Sequence, residues 1–411
     1  MDQATAGCRT ELHSAKPFVI GWAIYSVVML LALYATLILP SSHPVTTTDF
    51  RCLYSVGKLA YSDSAHLYDL ASLGRIQDSL GGPIGAAPYI QPPYDALLFV
   101  PFAHFSYSTA YLLFATFNLA LLLPCFFVAR VAFSHRVELW QPKPGLMFFV
   151  FVPLALCVMQ GQASIRLFLL CCLTWHELRR GRDFNAGLFL GLGLFKLQIV
   201  IPLALFLTLR RGYRALAGFV AGVSAVTALS VWFVGTRGLA AFVRALLNAT
   251  LRASNTGDYT QPSFMPNLRG FIYGCGGRYL PHSWLLAVTL IFSAAALLWF
   301  AYRVRRESDE SGAFVLMVVG ALLLSYHLHV SDLTLLLLPI GLLASCPRRY
   351  FVLLVSAFMS PTLLQNTFSI NFLWAIPLAG LALLAWRGSA ELADTTRLNA
   401  PEVEGIRAAT V

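Results

Sequence analysis

Eight polar residues interrupt the apolar stretches of this 411-residue chain, and their types suit proton transfer and anion binding. A carboxylate can accept a proton as a general base, and cationic side chains stabilise the negative charge of a phosphate. The candidates are Asp49, Asp95, Gln162, Arg166, Lys196, Arg269, His327 and His329. They come from distant parts of the chain, so the fold must bring them together.

The elements that carry these residues are predicted to be membrane helices. Of the residues, 58% are hydrophobic and only 12% are charged, whereas roughly a quarter are charged in soluble domains. Runs such as 18–39, 111–128 and 284–301 are apolar over the ~20 residues that cross a bilayer. The net charge of +10 lies in short clusters between such runs, which indicates membrane topology and no nucleic-acid partner. The sequence therefore predicts an all-α polytopic membrane protein.

Basic clusters mark the cytoplasmic side, because short cytoplasmic loops are enriched in lysine and arginine. With these clusters inside, we expect a cytoplasmic N-terminus (1–16), a transmembrane domain (17–387) with about ten crossings, and a disordered cytoplasmic tail (388–411). Two long loops, 40–107 and 235–282, then lie on the extracytoplasmic face. The same topology brings polar residues to the outer boundary of the membrane: Asp49, Asp95, Gln160, Gln162, His327, His329 and Asp332.

Two short apolar stretches do not fit a simple series of crossings. The arginine clusters at 179–182 and 210–214 are both expected inside, yet a single apolar stretch separates them. Residues 184–209 must therefore enter and return, which predicts a re-entrant hairpin of two half-helices meeting near Lys196. Residues 96–103, bounded by prolines, are too short to span the bilayer and are predicted to dip in from outside.

The two aspartates each have two explanations. Asp49 directly follows the first apolar run, where its carboxylate can reach a hydroxyl group at the bilayer surface as a general base. Because aspartate is a common N-cap, it could equally begin a helix. Asp95 ends the rigid segment Gln91-Pro92-Pro93-Tyr94 and is either part of a substrate wall or part of a stiff turn.

Arg166 and Lys196 are candidate charges inside the membrane. Lys196 has apolar residues on both sides, where an unpaired charge would cost at least ~2.5 kcal/mol. A lipid-linked phosphate is one natural partner for both cations, because phosphate oxygens bind cations strongly at low dielectric. The alternative is a buried carboxylate such as Asp95.

The histidine segment and Arg269 complete the candidate site. His327 and His329 do not share a helix face and have no clear third ligand, so we predict no metal. They could bind sugar hydroxyls or phosphate, or belong to an ordinary polar connection. Arg269 follows a proline-rich segment and could clamp a phosphate, although anionic lipid headgroups are an equally suitable partner.

In their order along the chain, these motifs resemble glycosyltransferase family 87, the polyprenol-phosphate-mannose-dependent α-mannosyltransferases of the GT-C superfamily. The resemblance covers roughly residues 18–385. Lys196 is followed by Leu197 where the family usually has proline, and Ala163 stands where asparagine is frequent. The motifs are Asp49-Phe50, Leu67-Tyr68-Asp69, Gln91-Pro92-Pro93-Tyr94 with Pro101, Gly161-Gln162, Gly187 to Lys196, and Tyr326 to Asp332.

The resemblance implies a GT-C-type bundle of about ten crossings plus two re-entrant or short-helix hairpins, located in the plasma (inner) membrane. It implies transfer of a sugar, mannose in this family, from a polyprenyl phosphate to a glycolipid or other extracytoplasmic acceptor, with inversion. Asp49 would be the general base, and Lys196, Arg269 or a histidine would stabilise the departing phosphate. We expect no cofactor, since the lipid-linked donor is itself a substrate.

Two other function classes stay open on the sequence alone. Broken helices and intramembrane charges also mark secondary transporters and lipid flippases. Such proteins would have pseudo-symmetric halves, which the hydropathy does not reveal. A non-catalytic membrane assembly subunit could also keep this fold with altered motifs, and its loss would matter only in the presence of its partner.

Overall fold

All regular elements that the structure describes are helical. The computed structural model describes residues 49–81, 87–133, 151–252, 262–343, 371–383 and 385. Its α-helices are α1 (Phe50–Ser62), α2 (Leu70–Ser79), α3 (Pro93–Ala96), α4 (Tyr107–Phe133), α5 (Val152–Gln160), α6 (Ser164–Arg179), α7 (Asp183–Leu192), α8 (Leu197–Arg211), α9 (Tyr213–Arg252), α10 (Leu268–Gly276), α11 (His282–Arg306), α12 (Glu310–Leu324) and α13 (Leu337–Leu343). The 3₁₀ helices Leu194–Lys196 and Val330–Leu336 precede α8 and α13. The predicted all-α class is confirmed for these residues.

Three of these helices, α4, α9 and α11, are long and apolar enough to cross a bilayer. The bent pair of α7 and α8 makes a fourth if it counts as one span. The described residues thus support three of the predicted crossings, whereas the bent pair falls on residues that were predicted to form a re-entrant hairpin. The N-terminus, the first apolar run, residues 344–370 of the predicted transmembrane domain and the tail at 388–411 lie outside the described residues.

Exposed aromatic residues bracket two of the membrane helices. On α9 these are Tyr213 and Trp232, and on α11 they are Trp284 and Tyr302. At 1.5 Å per residue, the two residues of each pair are separated by about 27–29 Å, which is close to the thickness of the hydrocarbon layer. Because tyrosine and tryptophan favour the two membrane interfaces, these pairs indicate where the bilayer begins and ends.

Both predicted outer loops contain substantial helical structure. The first contains α1, α2 and α3, which join the start of α4 in an apolar cluster around Phe50, Phe99 and Phe114. The second was predicted to begin at Gly235, and there α9 is interrupted by a positive φ of 69°. Helical structure then resumes as far as Arg252, and α10 follows after the residues that are not described.

The residues of the predicted hairpin form α7 and α8, which are bent by 64° at Gly193, as in a broken span or a re-entrant hairpin. Asp183 at the start of α7 lies 3.7 Å from the guanidinium of Arg211 at the end of α8. The two helix ends farthest from the break therefore lie near each other, and Lys196 lies at the break. At the same end of the bundle, Arg210 donates a 3.1 Å hydrogen bond to the carbonyl of Val304. Two basic regions that were both predicted to be cytoplasmic thus meet.

Glycines allow α7 to pack closely against α9. Gly187 and Gly191 face Ala215, Phe219 and Gly222, and any added Cβ would collide with backbone atoms of the opposite helix. From the other side, a Cβ on Gly218 would collide with the Phe184 carbonyl. Small residues are what let membrane helices approach so closely. This contact fixes the position of the hairpin that carries Lys196.

Gly218→Ala is expected to destabilise the protein by about 1–3 kcal/mol, because the new methyl group must push α9 away from the Phe184 backbone. Thermal unfolding of the purified protein in detergent measures the effect. Gly380→Ala is the matched control, since an added Cβ there meets nothing within 4 Å. Equal melting temperatures for the two variants would contradict the close contact.

Candidate active site

A buried ion pair lies at the centre of the candidate site. The ammonium of Lys196 lies 2.8 Å from Oδ1 of Asp332, and these residues are only 3% and 0% exposed. Ser164 donates a 2.6 Å hydrogen bond to the same carboxylate oxygen, and the backbone N–H of His329 donates to Oδ2 at 3.0 Å. Both oxygens of Asp332 therefore have partners, as a buried carboxylate requires.

The network continues from Lys196 to Asp49 through a glutamine. Lys196 also contacts Oε1 of Gln162 at 3.4 Å, while Nε2 of Gln162 donates to Oδ2 of Asp49. The amide is thus oriented by charge, with its oxygen facing the ammonium and its NH₂ group facing the carboxylate. The network begins at the fully buried Asp332 and ends at Asp49, which is exposed.

The turn after α5 directs Gln162 towards Asp49. Gly161 ends the helix in the left-handed conformation (φ 67°, ψ 38°), and the N–H of Gln162 returns to the carbonyl of Cys157 at 2.9 Å. This is the Schellman arrangement, in which glycine is favoured because it has no Cβ. A Cβ on Gly161 would also lie 2.7 Å from the Cβ of Phe50, the residue after Asp49. The predicted Gln-Gly-Gln turn and the start of α1 are therefore in direct contact.

The helix-cap explanation of Asp49 has no support in its hydrogen bonds. Asp49 is the N-cap residue of α1, yet its side chain makes no capping hydrogen bond. Asp69 provides the contrast, because its carboxylate accepts hydrogen bonds from the backbone N–H groups of Ala71 and Ser72 at the start of α2. The Asp49 carboxylate is bound instead by Gln162.

Arg166 and Asp95 form a second ion pair beside the network. Their charged atoms lie 2.5 Å apart, and Asp95 is 1% exposed. The guanidinium also stacks 4.5 Å from the ring centre of Phe195. Pairing with a buried carboxylate is thus the observed arrangement for both cations, but Asp95 pairs with Arg166 and not with Lys196. Nε and one Nη of Arg166 have no hydrogen-bond partner among the described residues.

The two candidate histidines contact one another directly. Their Nε2 atoms lie 2.9 Å apart on an irregular segment between α12 and the following 3₁₀ helix. The two histidines are therefore not on a helix, and they meet although they are only two residues apart. Burial lowers the pKa of His327 to about 3, and the neighbouring His329 and Lys196 act in the same direction. His327 is consequently neutral at physiological pH. Within the described ranges, no group of three histidine, cysteine or acidic side chains is arranged to hold a metal.

Arg269 lies outside the network and contacts the backbone of the histidine segment. It donates a 3.1 Å hydrogen bond to the carbonyl of Tyr326 and stacks 3.9 Å from the centre of that ring. Asn267, two residues earlier, donates to the carbonyl of Ser325 at 2.7 Å. These two side chains hold the segment that leads to His327.

Sequence reasoning did not assign roles to three residues of this arrangement, namely Ser164, Asn267 and Asp332. Asp332 had been included with the polar residues at the outer boundary, and it enters an apolar run in which a charge needs a partner. That signal could have paired it with Lys196. Ser164 and Asn267 gave no comparable signal, since single small polar residues are common in helices and at their ends.

The fold is that of a helical membrane protein, and its polar network places the exposed carboxylate of Asp49 and the buried ammonium of Lys196 on either side of Gln162. The sequence model of glycosyltransferase family 87 matches residues 89–331, which is more than half of the chain. The chain therefore belongs to this family of glycosyltransferases, and the resemblance seen in the sequence is confirmed at family level. No curated protein and no solved structure matches the chain. The matched range includes Gln162, Arg166 and Lys196 and begins after Asp49.

Gly161→Ala is expected to lower sugar-transfer activity strongly, because it moves Gln162 away from Asp49 through collision with Phe50. The left-handed backbone alone should destabilise the variant by about 1–2 kcal/mol. Gly181→Ala is the control, since Gly181 has a φ of 68° but open space around an added Cβ. Activity and melting temperature are measured for both variants. Similar activities would show that the Phe50 contact does not position Gln162.

Asp332→Ala is expected to destabilise the protein by about 3–5 kcal/mol, because it leaves the ammonium of Lys196 buried without its counter-charge. Arg182→Ala removes a 3.7 Å ion pair in which the arginine side chain is 57% exposed, and the buried Glu177 keeps its 2.9 Å hydrogen bond from Asn185. Its expected cost is only about 0–1 kcal/mol. Thermal unfolding of both variants measures the difference. A loss of stability in Asp332→Ala as small as that in Arg182→Ala would contradict the importance of the buried pair.

Proposed function

We propose that the protein transfers a sugar, with mannose as the first candidate, from a polyprenyl phosphate to an acceptor hydroxyl on the extracytoplasmic face. The observation that carries this proposal is the network joining Asp49, Gln162, Lys196 and Asp332 inside an apolar helical bundle. Membership of a glycosyltransferase family gives the reaction class. The donor, acceptor and mechanism are proposed from the chemistry of the site.

Asp49 acts as the general base in this proposal. Its carboxylate is exposed, so an acceptor can reach it, and Gln162 holds one of its oxygens. The other oxygen accepts the proton of the acceptor hydroxyl as that oxygen forms a bond to the anomeric carbon. The bond between the anomeric carbon and the phosphate oxygen breaks, and polyprenyl phosphate leaves from the opposite face. One displacement therefore inverts the anomeric configuration.

Lys196 and Arg166 stabilise the departing phosphate in this proposal. Lys196 donates to Asp332 and Gln162, so one of its three ammonium hydrogens has no acceptor among the described residues. Arg166 has unbonded Nε and Nη groups beside the same network. Cations in a dry, preorganised site stabilise developing negative charge strongly. His327, which is neutral, can donate to a sugar hydroxyl or accept from one.

The arrangement of charges supports an active site on the extracytoplasmic side of the plasma (inner) membrane. Arg210 and Arg211 lie at the open end of the hairpin, whereas Lys196 lies at its break. If arginine-rich ends face the cytoplasm, Lys196 and the network lie towards the opposite face. A glycolipid acceptor and a lipid-linked donor would both reach the site from the outer leaflet.

The test is transfer of radiolabelled mannose from polyprenyl-phosphate mannose to membrane lipids by the purified protein in liposomes. Asp49→Asn is expected to lower kcat at least about 10²-fold, because the amide cannot accept the proton. Asp69→Asn is the matched control. It removes a carboxylate from the same outer region, while asparagine remains a good N-cap.

Each result has a distinct meaning. Loss of transfer in Asp49→Asn with normal transfer in Asp69→Asn supports Asp49 as the general base. Full turnover by Asp49→Asn excludes Asp49 as the base, whereas absence of transfer by the wild-type protein excludes this donor and acceptor pair. Other polyprenyl-phosphate sugars are then the next donors to test.

A further inference from the structure

We infer that Tyr94 is a positioning residue that fixes the break of the α7–α8 hairpin and thereby the ammonium of Lys196. The inference rests on the proposed function, in which Lys196 faces the departing phosphate. Tyr94 was noted in the sequence only as part of a rigid Pro-Pro-Tyr segment. Its hydroxyl reaches the break between α7 and α8, where the helical hydrogen bonding is interrupted.

The Tyr94 hydroxyl bridges the two sides of the break. It donates to the carbonyl of Leu192, the last residue of α7, at 2.9 Å and accepts from the N–H of Phe195 at 2.8 Å. Backbone groups freed by a broken membrane helix need such replacement partners, because lipid supplies none. The next residue after Phe195 is Lys196, so this bridge fixes the backbone that carries the ammonium.

Tyr94 is itself held by contacts that do not involve the hairpin. Pro92 and Pro93 precede it and restrict the backbone. Its N–H donates to the hydroxyl of Ser230 on α9 at 3.1 Å, and Ser230 donates in turn to the carbonyl of Val226 at 2.8 Å. Tyr94 therefore acts as a strut between two elements. Its backbone is bound to α9, and its hydroxyl is bound at the hairpin break.

The next residue makes a second contact with the same break. Asp95 pairs with Arg166 at 2.5 Å, and the guanidinium of Arg166 stacks on the ring of Phe195. Tyr94 thus fixes the backbone of Phe195, while Asp95 fixes its side chain through Arg166. Tyr94 and Asp95, two adjacent residues of one turn, therefore both position Phe195, the residue before Lys196.

The first experiment compares Tyr94→Phe with Tyr54→Phe in the full-length protein. Each variant loses one phenol hydroxyl that binds a backbone carbonyl, since Tyr54 donates to Phe105 at 2.8 Å in the outer apolar cluster. An amine-acylating reagent is applied, and labelling of Lys196 is measured by mass spectrometry against Lys58 as internal reference. We expect labelling to rise about tenfold in Tyr94→Phe, because loss of two buried hydrogen bonds favours local opening. Tyr54→Phe should match the wild-type protein.

The second experiment measures transfer kinetics in a double-mutant cycle with Lys196→Gln, in which glutamine can still donate to Asp332. Tyr94→Phe is expected to lower kcat about ten- to a hundredfold, because a small displacement of a transition-state group is costly. KM for the donor should change little. In the Lys196→Gln background, adding Tyr94→Phe should change kcat by less than about twofold, since its effect acts through Lys196.

The outcomes separate this inference from the proposed function. Unchanged labelling of Lys196 in Tyr94→Phe overturns the inference whatever the protein transfers. Additive losses of kcat in the double variant also overturn it, because they would mean that Tyr94 acts independently of Lys196. If the wild-type protein transfers no mannose, the proposed donor fails while the labelling result still decides the role of Tyr94.

Discussion

The buried pair of Lys196 and Asp332 is the interaction on which the rest of the site depends. Either charge alone would be strongly unfavourable inside an apolar bundle, so each requires the other in good geometry. The two residues lie 136 positions apart in the chain. The hairpin, the start of α6 and the segment after α12 must therefore meet at one point. Ser164 and the N–H of His329 donate hydrogen bonds to the Asp332 carboxylate, and Gln162 extends the network to the surface.

Much of the fold could be predicted because its signals are local. Long apolar runs predicted α4 and α11, and the spacing of arginine clusters predicted an interruption within residues 184–209, where α7 and α8 meet at a 64° bend. Gly161 between two glutamines predicted a turn, and the structure shows a helix end in the left-handed conformation. Each of these inferences needed only hydropathy, charge or the conformational freedom of glycine at one place in the chain.

The partners of the charges could not be predicted in the same way. Asp95 was considered as a partner for both Arg166 and Lys196, and the sequence offered no way to divide the carboxylates between the cations. The choice depends on how α6 and the hairpin are rotated against each other, which is set by side-chain packing over many residues. Arg269 illustrates the same limit, because its guanidinium donates to a backbone carbonyl and stacks on an aromatic ring. Neither the carbonyl nor the ring can be identified from the spacing of charged residues in the sequence.

The change in exposure along the network explains why its two ends suit different tasks. A base must meet an acceptor that arrives from water or from the membrane surface, and Asp49 at the exposed end can do so. A cation that compensates a leaving phosphate is more effective where the dielectric is low, and Lys196 is almost fully buried. Gln162 joins the two without moving charge, because its amide presents oxygen to the cation and NH₂ to the carboxylate. In the proposed reaction this separation keeps the base accessible while the cation stays dry, and the Tyr94 strut holds the buried end in place.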